Sequence, residues 1–67
     1  MRTILTSNLI KYLEGEKAKA KANVEINLRN PAGIGEHPDV LEALRSELSK
    51  VSQAEEDIQT LKREFIE

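Results

Sequence analysis

After Pro38 the chain holds neither proline nor glycine, and there Leu44, Val51, Ile58 and Phe65 recur at a strict interval of seven residues. An apolar repeat of that period lines one side of an α-helix. Leu41 and Leu48 precede Leu44 and Val51 by three residues, which makes a 3–4 apolar seam of the coiled-coil type over the first two repeats. Val40, Ala54 and Leu61 widen the seam on one flank, and the positions equivalent to Leu41 farther along are Glu55 and Lys62, so the seam narrows toward the C-terminus. Pro38 suits a first helical turn, where its missing N–H costs nothing. Asp39 and Glu42 then sit near the positive end of the helix dipole, with Lys62 and Arg63 near the negative end. These signals together predict a helix over about 38–66, some ~42 Å long at the usual rise per residue.

The first half carries a less regular pattern. On a helical wheel Leu9, Leu13, Ala20, Val24 and Leu28 share one face, with Lys17 on that face and Asn27 at its margin. A helix over about 5–29 is therefore expected, its seam interrupted by small and polar members. Ile4, Tyr12 and Ile26 point elsewhere and mark a possible second contact surface. Gly15 costs about 1 kcal/mol inside a helix and is a candidate kink. A rival reading comes from residues 18–28, AKAKANVEINL, where apolar and polar residues alternate with the period of a strand. Alanine, lysine and glutamate favour helix over strand, and only residues 2–6 are available as a partner strand, so helix is the preferred reading.

Between the two lies RNPAGIGEHP, residues 29–38. Asn30-Pro31 disfavours helix at Asn30, and Gly33 and Gly35 admit backbone angles closed to other residues. The fold expected is all-α: an antiparallel two-helix hairpin over residues 1–67, one domain with its connecting loop at about 30–37.

The size of the chain bears on what this hairpin must do. At 67 residues it is one small domain, and two helices touching along one seam bury little apolar surface for each residue ordered. Natural chains of this size add disulfides, a metal or a partner. With no cysteine present, disulfides and thiolate zinc sites are excluded, which leaves association as the remaining source of burial. The seam Leu9, Leu13, Val24, Leu28, Leu41, Leu44, Leu48, Val51, Ile58 and Phe65 either packs only within its own chain or also meets a second copy. The shortage of burial favours the second, a dimeric helical bundle, with Ile4, Tyr12 and Ile26 at the interface.

Net charge is only −2, too balanced for a dedicated nucleic-acid binder. Residues 1–30 carry six Lys/Arg against three Glu, and residues 31–67 carry four against nine Asp/Glu, a +3 half and a −5 half suited to pairing with each other. Lys17, Lys19 and Lys21 resemble a basic patch, but two-residue steps spread them around a helix, and Tyr12 is the only aromatic near them. A nucleic-acid accessory role for the basic first helix is thus the alternative reading. No stretch approaches the ~18 consecutive apolar residues of a membrane span, and no signal peptide or lipidation motif is read, so a cytoplasmic protein without membrane contact is expected.

Few side chains suggest chemistry. His37 is the sole histidine, with Glu36 and Asp39 as its only near acidic neighbours, and it is read as a capping residue. The loop glycines before a helix lack a P-loop lysine, and Glu36 and Asp39 would repel phosphate. A hairpin offers no deep pocket in which to activate a serine or threonine. No enzymatic activity, cofactor or metal is expected. Ile34, between two glycines, either closes the end of the hairpin core or anchors a heterologous protein partner.

Residues 23–44, NVEINLRNPAGIGEHPDVLEAL, carry Asn23-Val24-Glu25, then Asn30-Pro31, then Gly35-Glu36-His37-Pro38-Asp39 leading into a helix. This stretch resembles small proteins encoded by contractile-tailed phages, especially those infecting marine cyanobacteria. The similarity covers about a third of the chain, and the family has no assigned activity. The resemblance implies a phage origin and residence in the cytoplasm of an infected bacterium, and it supplies no catalytic residues.

Overall fold

The computed structural model of the chain describes residues 1–29 and 39–66. Two helices, α1 (Arg2–Arg29) and α2 (Asp39–Phe65), pack against each other as a hairpin measuring 50 × 15 × 12 Å. Residues 30–38 and 67 lie outside those described. The expectations placed on Ile34, His37 and the loop glycines fall there.

Residues 18–28 are helical, which removes the strand alternative. Their two-residue alternation puts only Ala20 fully inside, and the intervening lysines reach solvent. The Asn27 side-chain amide donates to the Asn23 carbonyl at 3.0 Å, so this polar residue bonds along its own helix. α1 starts at Arg2, earlier than the pattern indicated. There the Leu5 N–H donates to the Met1 carbonyl at 3.0 Å, and the Thr6 hydroxyl lies 3.1 Å from the carbonyls of Arg2 and Thr3. Helix α1 also runs through Gly15 without a break, and a Cβ added at Gly15 would meet nothing within 4 Å.

α2 carries acidic residues in its first turn and basic ones in its last, as its macrodipole favours. Its C-terminal end receives a further donor from the other helix. The Arg2 guanidinium donates to the Phe65 carbonyl at 2.8 Å, which ties the open end of the hairpin.

The inner face of α1 is made by Thr6, Ile10, Leu13, Lys17, Ala20, Val24 and Asn27, and that of α2 by Val40, Leu44, Glu47, Val51, Ala54, Ile58 and Leu61. Both rows advance by alternating steps of four and three residues, so each helix keeps one narrow face toward the other over its length. Only Leu13, Ala20, Ala54 and Ile58 are buried; the rest are half-buried.

Several members of the expected seam prove to lie outside it. Leu13, Val24, Leu44, Val51 and Ile58 face inward, whereas Leu9, Leu28, Leu41, Leu48 and Phe65 are exposed. Phe65 continues the inward row, seven residues after Ile58, and is exposed where it ends α2. For the other four the reason is that a straight helix presents one row and cannot change rows partway. On α2 the row through Leu41 and Leu48 continues as Glu55 and Lys62, so burying it buries two charges. The row through Val40 continues as Glu47, Ala54 and Leu61, at the cost of one. On α1 the stripe from Leu9 to Leu28 drifts by ~100° around the helix, more than one partner helix can cover. Ile10 and Asn27 take the places that Leu9 and Leu28 leave.

Candidate interaction surface

The seam between the helices mixes apolar and charged layers. Lys17 stands on the inner row of α1, its side chain 28% exposed, and reaches Glu55 of α2 at 3.3 Å. Among the described residues this is the one ion pair between the helices. It marks their antiparallel register: counting outward from it places Leu13 about opposite Ile58 and Ala20 about opposite Val51. Ionic contact at a half-exposed Glu55 contributes little energy, and its effect is to disfavour slipped alignments.

Glu47 is less well provided for. Its side chain is only 18% exposed; one carboxylate oxygen accepts from Lys50 at 3.3 Å, and the other is buried without a hydrogen-bond partner. A buried acceptor left unpaired costs about 1–3 kcal/mol. This cost falls in the part of the seam where Asn23 and Asn27 are also half-buried, so the hairpin is least cohesive toward residues 30–38.

The outer surface holds the apolar side chains the seam leaves out. Beside the seam on one flank, Leu28 of α1 meets the level of Leu41 and Leu48 of α2; the three are 59%, 63% and 58% exposed. The opposite flank bears Leu5, Leu9 and Tyr12, at helical steps of four and three near the start of α1. Next to Tyr12 an open groove of about 780 Å³ runs between the helices, lined in part by Glu16, Ala20, Glu47, Lys50 and Ala54. The small alanines make the groove floor low there, since they fill less space than the leucines elsewhere on the rows.

The residues expected at a second contact surface are distributed over both flanks. Ile4, Tyr12 and Ile26 are all exposed. Ile4 lies toward the flank of Leu28 and Leu41, whereas Tyr12 and Ile26 lie toward the groove. The pattern reading missed Leu5 altogether. Its signal is present, since Leu5, Leu9 and Tyr12 follow one another at helical steps, but the helical wheel groups Leu9 with the seam.

The lysines of α1 diverge in space. Lys17 faces the seam, Lys11 and Lys19 line the groove, and Lys21 stands on a solvent-exposed position away from it. Among the described residues no three carboxylates or histidines gather where they could hold a metal ion, and no helix is long and apolar enough to cross a membrane. Comparison with protein-family models, with curated proteins and with solved structures finds no match to this chain.

Proposed function

We propose that this chain is a non-enzymatic protein–protein interaction module, a helical hairpin that associates with a second copy of itself to form a coiled-coil-like bundle. The observation that carries the reading is the distribution of large apolar side chains. Among the described residues only two of them, Leu13 and Ile58, are buried in the single hairpin, whereas Leu5, Leu28, Leu41, Leu48 and Tyr12 are among those left exposed.

Surface area points the same way. The chain exposes 5451 Å². A compact protein of 7.5 kDa would expose ~4,200 Å². The excess of about 1,200 Å² exceeds the ~800 Å² that one partner contributes to a stable interface. A rod-shaped hairpin thus has room to bury an interface and still keep a polar outer face. The row left uncovered by such a dimer would serve a heterologous protein partner.

The divergence of Lys11, Lys17, Lys19 and Lys21 gives no single basic track for nucleic acid and lends the alternative role no support. Resemblance of residues 23–44 to phage proteins supports a phage-encoded accessory that modulates host or phage machinery in the bacterial cytoplasm. Finding the chain in the soluble fraction of infected cells only after infection tests that part, and its absence there rejects it.

Self-association is tested by light scattering over a concentration series, with helicity followed by circular dichroism on the same samples. The expected mass is about twice 7.5 kDa, with helicity falling on dilution below the dissociation constant. A fully helical, stable monomer at every concentration overturns the proposal.

A further inference from the structure

The outward face of α1 carries Lys11, Glu14, Ala18, Lys21 and Glu25 at successive steps of three, four, three and four residues. All five are exposed, and that spacing sets them in one line along the helix. Read in chain order the charges run plus, minus, none, plus, minus. Read backward they run minus, plus, none, minus, plus. Two copies of this stripe laid antiparallel therefore set every charge against its opposite, with Ala18 at the centre.

From this we infer that the second copy docks on this face of α1, the two chains related by a two-fold axis passing near Ala18. This inference rests on the self-association proposed above and adds the face and the orientation. In it Lys11 meets the partner's Glu25, Glu14 meets the partner's Lys21, and the symmetry repeats both pairs. Among the described residues, Lys11, Glu14 and Lys21 form no ion pair within the chain, and Glu25 has only the exposed Arg29 at 3.5 Å.

Apolar residues close the two ends of the same flank. Ile4 stands at the end that holds the termini, and Leu28, Leu41 and Leu48 stand at the other. The antiparallel arrangement carries the leucines of one copy to Ile4 and Ile66 of the other. On α2 it also brings Arg45 near the partner's Lys62 and sets Glu55, level with Lys17, beside the partner's Glu55, so four opposite-charge pairs stand against three like-charge contacts. An arrangement with both loops at one end would instead set Glu14 level with the partner's Glu55. Charge arranged in this way selects orientation and excludes misaligned partners more than it adds affinity. The other flank lacks this property: reversing Leu5, Leu9, Tyr12, Glu16, Lys19, Asn23 and Ile26 sets Leu5 against Ile26, but Leu9 against Asn23, Tyr12 against Lys19 and Glu16 against Glu16, so no charge meets its opposite.

Cross-linking of the full chain tests the inference, since no native cysteine competes. Ala18→Cys treated with a short bismaleimide is expected to give a covalent dimer, and Lys11→Cys or Tyr12→Cys to give none. Charge reversal supplies a second, independent test. The variants K11E/K21E and E14K/E25K are each expected to bind themselves at least about tenfold more weakly than the parent, while an equimolar mixture recovers the parental mass. Efficient cross-linking through Tyr12→Cys and not Ala18→Cys would move the interface to the other flank, overturning this inference and leaving self-association intact. Cross-linking through Lys11→Cys would overturn the antiparallel orientation, as would undiminished association of either charge variant alone. A parent that is monomeric throughout removes both proposals.

Discussion

The half of the hairpin that holds the termini and the half next to residues 30–38 use the same inward rows but fill them differently. Leu13 and Ile58 are buried in the first, with Ile10 and Leu61 half-buried on the same rows. In the second the rows carry Asn27 and Glu47 among Val24, Val40 and Leu44, and none of these is fully buried. The leucines of that half, Leu28, Leu41 and Leu48, point to solvent. One end of the molecule therefore coheres by its own packing, while the other keeps its apolar side chains available. Where a rigid helix cannot bury both of two adjacent rows, the row it leaves outside becomes material for an interface.

The largest expected effect breaks the cohesive half. Ile58→Ala or Leu13→Ala is expected to cost about 2–5 kcal/mol, since each removes one of the two large side chains buried among the described residues. Thermal unfolding followed by circular dichroism reads this as loss of most helicity at room temperature. An unchanged midpoint would show that the seam does not hold the hairpin. Glu47→Leu should do the reverse in the weaker half, raising stability by about 1–3 kcal/mol by removing a buried carboxylate oxygen that has no partner. A lower urea midpoint in that variant would mean that Glu47 has a partner in the assembly.

Replacing the exposed leucines separates packing from association. Leu41→Ser with Leu48→Ser is expected to leave the helicity of the chain at high concentration nearly intact and to weaken self-association by about tenfold or more. An unchanged dissociation constant, measured by sedimentation equilibrium, would discharge this flank from any role. Gly15→Ala is a smaller change, expected to stabilise by about 0.5–1 kcal/mol because the added methyl meets open space within a helix. Smallest is Glu55→Gln, which removes the Lys17 pair; since both groups are partly in water, the change should stay below about 0.5 kcal/mol, with double-mutant cycles against Lys17→Met as the measurement.

Much of the architecture is legible in the sequence. The seven-residue recurrence in α2, with no glycine or proline after Pro38, specifies a long helix, and the boundary at Phe65 follows the pattern closely. α1 was harder because its inward row contains Lys17, Ala20 and Asn27, residues whose polarity or small size gives little one-sided contrast. The choice of row was not legible at all. Leu41 and Leu48 look like seam residues when each repeat is read by itself. Only the requirement that one rotation serve all of α2 turns them outward.

Local chemistry by itself determined that the chain makes helices: good helix formers fill both segments, dipole-matched charges end α2, and Asn30-Pro31 with Gly33 and Gly35 separates the two. It also determined that two helices of this length would be short of buried apolar surface. The tertiary structure alone decided which side chains are spent on the seam and which remain outside. That decision belongs to the pair of helices, because a residue's burial depends on the rotation and register that suit every layer at once, and those are set jointly by all the inward residues of both.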